Sequence, residues 1–134
     1  MSAMPNTMGA ASGSFVPDDF LASCGSCDRS QADNSPFGVV KVDDSGKILL
    51  YNKWEADMAG IAPSNAEGKN FFTQVSPCSN NGLFFGTFKK GVASGHMNVV
   101  FPYTFTYKMR PTNVKIHLYR DGNSKSNFIF VTKA

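Results

Sequence analysis

Three side chains in this sequence have the types and spacing for chemistry. Cys78 closes the run Asn70-Phe71-Phe72-Thr73-Gln74-Val75-Ser76-Pro77-Cys78, a single thiol after a proline at the end of an apolar segment. Upstream lies Tyr51-Asn52-Lys53-Trp54-Glu55, a phenol and a carboxyl four residues apart. On a helix that spacing puts two side chains on one face, where they can converge on one group. A lone cysteine is more often a small buried hydrophobe than a reactive thiol, so its context matters. A thiol and two hydrogen-bond donors in so aromatic a chain point to a buried ligand held covalently.

The elements that must position these groups are legible as periodic patterns. Gly38-Val39-Val40-Lys41-Val42, the turn Asp43-Asp44-Ser45-Gly46, and Lys47-Ile48-Leu49-Leu50-Tyr51 read as a β-hairpin. Asn52 can cap a short helix through about Ala59, with Gly60 as its stop. Residues 63–81 read as turns and helical fragments broken by Pro63, Gly68, Pro77 and Gly82. Phe84, Phe85, Phe88 and Val92 then line one face of a helix ending near Gly95. Phe101, Tyr103, Phe105, Tyr107 and Met109 alternate with polar residues at period two, which predicts a strand. Val114, Ile116 and Leu118 mark another. Phe128 and Phe130, or Ile129 and Val131, mark a third after the turn Asp121-Gly122-Asn123-Ser124. The whole is an α+β arrangement, a five-stranded antiparallel sheet with helices on one face.

The N-terminal stretch is plainer. Residues 1–14 carry no charge and are rich in Ala, Ser, Gly and Met, so a frayed or weakly docked segment is expected. Residues 15–35 read as a short helical cap, with Pro17 in its first turn beside Asp18 and Asp19, followed by a polar loop. Its few apolar anchors, Phe15, Val16, Phe20 and Leu21, predict marginal docking on the sheet.

At 134 residues the chain is long enough for one domain with a real core. A hydrophobic content of 42% against 17% charged residues excludes a disordered class. The net charge of +3 is small and its lysines are scattered apart from Lys89-Lys90, so no nucleic-acid footprint is present. No apolar run reaches the ~18 residues a membrane span needs, and no secretory signal is evident. A cytoplasmic location is expected, where Cys24, Cys27 and Cys78 would stay reduced.

Cys24-Gly25-Ser26-Cys27 is a CxxC, but a redox site would need a strand-to-helix junction, and its surroundings read as loop. A lone CxxC cannot supply four zinc ligands, and His96 and His117 have no second ligand at metal spacing. His117 alternates out of the Val114/Ile116/Leu118 face and reads as structural, paired with a carboxylate. His96 reads as a loop residue and Asp57 as surface.

Taken together, Gly68-Lys69-Asn70-Phe71-Phe72, Val75-Ser76-Pro77-Cys78, Gly91-Val92-Ala93-Ser94-Gly95, Tyr103-Thr104-Phe105 and Met109-Arg110-Pro111-Thr112-Asn113-Val114-Lys115-Ile116-His117 resemble the photoactive yellow protein family. The resemblance is colinear from Phe37 to Val131. It implies a PAS-like fold, with residues 1–34 as an N-terminal cap and 35–134 as a photosensory core. It also implies para-coumaric acid (4-hydroxycinnamic acid) held as a thioester on Cys78, with Tyr51 and Glu55 as donors to its phenolate. Tyr103, Phe105 and Phe71 would border the group, and Met109 would affect its relaxation. Better-known members carry Thr where this chain has Ala59 and Arg where it has Ile61, so Tyr51 lacks a supporting hydroxyl here.

That chemistry suits the residues. Cysteine is the usual side chain for a thioester, and a buried phenolate needs charge-assisted hydrogen bonds to offset its lost hydration. Glu55 can donate only as the neutral acid, a form that burial beside a second negative group favours. The reading is a blue-light photoreceptor, not an enzyme. Light would isomerise the bound group, and Glu55 would pass a proton to the phenolate. No output domain is read in the chain, so a monomer that docks to an unidentified signalling protein is expected. Two rivals are a PAS sensor binding a small ligand non-covalently, and thiol catalysis by Cys78 with His117 as base.

Overall fold

The computed structural model describes residues 15–107 and 110–134, with the backbone alone at 107 and 110. The expectations for residues 1–14 and for Met109 fall outside the described residues. Along the chain come α1 (Asp18–Ser23), a 3-10 turn (Cys24–Ser26), α2 (Arg29–Asp33), β1 (Gly38–Val42), β2 (Ile48–Tyr51), α3 (Lys53–Ala59) and α4 (Pro63–Ala66). Then follow a π-helical turn (Phe71–Val75), a 3-10 turn (Pro77–Ser79), α5 (Phe85–Ser94), β3 (Asn98–Tyr107), β4 (Arg110–Asp121) and β5 (Ser126–Lys133). The strands form one antiparallel sheet in the order β2-β1-β5-β4-β3. Pro102 sits in the edge strand β3, where a missing N–H costs no ladder bond on the open side.

Successive side chains of a strand leave on opposite faces, and here both faces are buried. Val40, Val42, Val114, Ile116, Leu118, Ile129 and Val131 meet Phe71, Phe72, Phe84 and Phe88 on one face. Val39, Phe128 and Phe130 meet Phe37, Val16, Leu21, Cys24 and Ala32 on the other. The helices therefore do not lie on one face, as the pattern of the last strands suggests: α1 and α2 cover the second. The run Phe128-Ile129-Phe130-Val131 supplies both cores at once, each large side chain contributing roughly 1.5–3 kcal/mol on burial.

The N-terminal segment makes contacts beyond burial of its four apolar anchors. Where a polar loop is expected, α2 forms behind a capping box: Asp28 Oδ1 accepts from Gln31 N–H (2.9 Å), and Gln31 Oε1 accepts from Asp28 N–H (3.3 Å). Pro17 precedes α1 as its N-cap, one position earlier than its first turn. Phe20 and Phe37 meet edge to face at 5.3 Å, and Phe20 and Phe130 at 5.9 Å, geometry worth about 0.5–1.5 kcal/mol per pair beyond burial.

Candidate functional site

Tyr51 is the last residue of β2, and Glu55 lies in the first turn of α3, so the pair straddles a helix start and does not share a helix. Asn52 between them makes the turn. Its Oδ1 accepts from Glu55 N–H (3.1 Å) and Val39 N–H (2.9 Å), and its Nδ2 donates to the carbonyls of Ala32 (2.7 Å) and Phe37 (3.0 Å). One buried amide thus ties α3 to β1 and to the cap. Tyr51 and Glu55 are both fully buried. Burial drives the Tyr51 phenol well above the usual tyrosine range, and the nearby Glu55 charge adds to the shift. The Tyr51 hydroxyl has no hydrogen-bond partner among the described residues.

Gly38, which the sequence reading passes over, shapes this corner. A Cβ there would collide with Glu55 Oε1 and lie 3.1 Å from the Trp54 ring and 3.2 Å from Val131 Cβ. Only a bare backbone lets the Glu55 carboxyl lie against β1.

Cys78 is carried by the segment between the π-helical turn and α5. Asn70 starts that segment: its Oδ1 accepts from Phe72 N–H (2.9 Å) and Thr73 N–H (3.2 Å), while its Nδ2 reaches the Ser45 carbonyl (2.8 Å). Ser76 N–H then closes the wide turn on Phe71 O (2.8 Å), a feature frequent at functional sites. Cys78 Sγ lies 3.5 Å from Ser76 Oγ. The thiol opens on a cleft of about 270 Å³ lined by Ala59, Ile61, Val75, Ser76, Pro77, Cys78 and Thr106, just under the roughly 300–1,000 Å³ typical of small-molecule sites.

Most of the expected site residues gather here. Tyr51, Phe71 and Phe105 belong to the apolar cluster against which Cys78, Ile61 and Tyr103 pack. Ala59 lies one turn beyond Glu55 on α3 and walls the cleft. Tyr51 and Glu55 are not part of the cleft wall. Tyr103 Oη donates to the Cys78 carbonyl (2.6 Å), a contact not foreseen from sequence. Burial raises the Tyr103 phenol, while a hydrogen bond from Asn81 acts in the opposite direction.

The other candidates separate from this centre. His117 is buried on the cap face among Phe15, Tyr119 and Phe130, with its Nε2 at 2.6 Å from Asn98 Oδ1. Its expected carboxylate partner is replaced there by an amide. Cys78 and His117 thus lie on opposite faces of the sheet, and the pair needed for thiol catalysis is not assembled. Burial pushes the Cys24 thiol up to about 12, with Asp121 and Cys27 adding to the effect, so Cys24 is an inert thiol. His96 and Asp57 are exposed. Among the described residues no group of three or more His, Cys, Asp or Glu side chains gathers as a metal site, and no helix is long and apolar enough to cross a membrane.

A five-stranded antiparallel sheet with this helical insertion before α5 is the architecture of PAS domains, and the PAS fold family model matches residues 28–132. Among known relatives, the photoactive yellow protein of Rhodothalassium salexigens is 39% identical over 119 residues, 89% of this chain and 95% of that protein. That of Cereibacter sphaeroides is 36% identical over 121 residues, 90% and 94% of the two chains. The crystal structure of the photoactive yellow protein domain from the sensor histidine kinase Ppr of Rhodospirillum centenum superposes with a TM-score of 0.79 at 36% identity, covering 84% of this chain and 98% of that one. The chain belongs to the photoactive yellow protein family of PAS-fold, blue-light photoreceptors.

Proposed function

We propose that this photoreceptor carries para-coumaric acid as a thioester on Cys78, with Tyr51 and Glu55 hydrogen-bonded to its phenolic end. One observation carries the reading: the Tyr51 hydroxyl is buried with no partner among the described residues. An orphaned buried hydroxyl costs about 1–3 kcal/mol, which a guest offering an acceptor would recover. The cleft that ends on Cys78 is lined mainly by small and apolar side chains, which suits the body of an aromatic acyl group.

A bound hydroxycinnamoyl group supplies a double bond that isomerises in blue light and a phenol that gains and loses a proton. The chain's own residues do the rest. Cys78 Sγ forms the bond to the acyl carbon of an activated ester, whose leaving group departs with the thiol proton. Tyr51, held neutral by burial, donates and cannot compete as an anion. Glu55 acts as the neutral acid and holds the transferable proton. A carboxylate left at Glu55 is expensive in a buried site, and Asn52 passes that strain from the α3 start to the Ala32 carbonyl of α2. In this reading residues 35–134 are the photosensory core and residues 1–34 a cap that loosens. An unidentified signalling protein reads the change. That the Rhodospirillum centenum relative is a domain of a sensor histidine kinase supports such a partner.

Reconstitution with an activated coumaric ester tests the assignment. Intact mass is expected to show one acyl adduct, abolished in Cys78→Ala and retained in Cys24→Ala and Cys27→Ala. An adduct on either CxxC cysteine overturns it. Glu55→Gln and Tyr51→Phe are expected to move absorption to the red. Tyr51→Phe is also expected to raise the bound phenol's pKa by roughly one to two units, the equivalent of one charge-assisted hydrogen bond.

A further inference from the structure

Asn81 stands at the junction of three elements. Its Nδ2 donates to Tyr103 Oη (2.5 Å) and to the Cys78 carbonyl (3.2 Å), and its Oδ1 accepts from Phe84 N–H (2.9 Å) at the entry to α5. Tyr103 Oη in turn donates to that same Cys78 carbonyl (2.6 Å). The Tyr103 ring is wedged edge-on against Phe84 at 5.1 Å and Phe105 at 5.6 Å, so its hydroxyl has a fixed position. The Cys78 turn is closed by Ser79 N–H to Ser76 O (2.9 Å), Asn80 N–H to Pro77 O (3.1 Å) and Asn81 N–H to Ser79 O (3.0 Å), with Ser79 Oγ also donating to Ser76 O (2.6 Å). A short 3-10 turn of that kind is intrinsically weak.

We propose that Asn81 is a positioning residue for Cys78. Taking Cys78 as the point of attachment, as above, Asn81 and Tyr103 together latch its peptide carbonyl to β3 and thereby fix the direction of the thiol toward the cleft. The amide orients the phenol as donor, and the phenol holds the carbonyl. Asn81 is not itself among the residues that line the cleft, and it meets Cys78 through the peptide carbonyl. Its two roles, latch and helix entry, use different atoms and can be separated by substitution.

Asn81→Asp keeps an oxygen for Phe84 N–H but has no N–H to offer Tyr103 or Cys78, whereas Asn81→Ala loses both roles. Each variant, in the full chain without added ester, is treated with iodoacetamide, and the Cys78 alkylation rate is followed by mass spectrometry. Both variants are expected to react at Cys78 about fivefold faster, the ratio that ~1 kcal/mol of lost hydrogen bonding produces. Amide exchange at Ser79 and Asn80 is expected to rise in both, and exchange at the start of α5 only in Asn81→Ala. A purely structural role would leave Tyr103 ionisation unmoved. Loss of the Asn81 donor removes support from the phenolate, so the Tyr103 titration, followed by NMR of labelled tyrosine, is expected to shift to higher pH in both variants. Unchanged Cys78 reactivity in Asn81→Asp together with an unmoved Tyr103 titration overturns the latch. None of these readouts needs the adduct, so failure of the thioester assignment would show separately in the intact-mass measurement.

Discussion

On the face of the sheet covered by α1 and α2, buried polar groups arrive with partners. Nε2 of His117 has Asn98, the Cys24 thiol has the Leu21 carbonyl at 3.3 Å, and Asn52 satisfies all four of its positions. On the face covered by α3 to α5, the Tyr51 hydroxyl has none among the described residues, and a cleft of about 270 Å³ ends on a free thiol. Both faces are rich in phenylalanine, so apolar content does not tell them apart. Polar satisfaction does. One face is finished for cohesion, and the other is left incomplete where a ligand would complete it.

Asn52 belongs to both faces, and its loss is expected to have the largest effect. Asn52→Ala strands the Val39 and Glu55 N–H groups and takes a donor from the Phe37 and Ala32 carbonyls, of which Ala32 keeps Ser35 N–H (3.2 Å). A buried group left unpaired costs about 1–3 kcal/mol, so a loss of about 4 kcal/mol is expected in urea denaturation. Exchange should rise in α2 and α3 together. A loss below about 1 kcal/mol, or exchange confined to one helix, would mean the faces are not joined here. Next comes the cap face alone. Burial lowers the His117 pKa from 6.5 to about 4, so the unfolded chain takes up the proton first. Stability present above pH 6.5 is then lost as pH falls toward 4, by up to about 3 kcal/mol. His117→Phe should flatten that slope; a slope unchanged by the substitution would assign the acid sensitivity elsewhere.

Two glycines sharpen the contrast. Gly38→Ala drives a methyl into Glu55, Trp54 and Val131, and Gly25→Ala drives one into Asp121 and Ser124. Each is expected to cost about 2 kcal/mol by overpacking, yet only Gly38→Ala should move the absorption of the reconstituted protein. Equal colour shifts in both would erase the functional distinction between the faces.

The parts legible in sequence are those that local periodicity encodes. The hairpin ending at Tyr51, the Asn52 cap, the fragments around Pro63 and Pro77, and the phenylalanine face of α5 all stand where their spacing puts them. The capping box Asp28-Arg29-Ser30-Gln31 was a local signal for α2 that the polar composition of the stretch hid. Other features have no local signature. A continuous run such as Phe128-Ile129-Phe130-Val131 is compatible with either face, and only the docking of the cap shows that both are used. Asn81 meets Tyr103 across 22 residues, and Asn80-Asn81-Gly82 alone reads as an ordinary turn. Gly38 is informative only once Glu55 is seen against it.

The smallest expected effect lies at the seam between the faces, where Arg29 of α2 pairs with Glu67 just beyond α4. Glu67 Oε2 also accepts from the Tyr51 N–H (3.0 Å), and Arg29 Nη1 reaches the Tyr51 carbonyl (3.4 Å), so the pair clasps the backbone of a proposed ligand donor. Arg29 is exposed and Glu67 only partly buried, and ion pairs this open to water contribute about 0–1 kcal/mol. Arg29→Ala should therefore cost no more than about 0.5 kcal/mol overall, while exchange rises selectively in Arg29–Asp33. Glu67→Gln keeps an oxygen for Tyr51 N–H and removes only the charge; it should match Arg29→Ala, and the double variant should add little to either. Glu67→Ala also removes the Tyr51 acceptor and should cost more than Glu67→Gln. Full additivity of Arg29→Ala and Glu67→Gln, with unchanged exchange in α2, would show that the cap is held by its aromatic contacts and by Asn52 without help from this clasp.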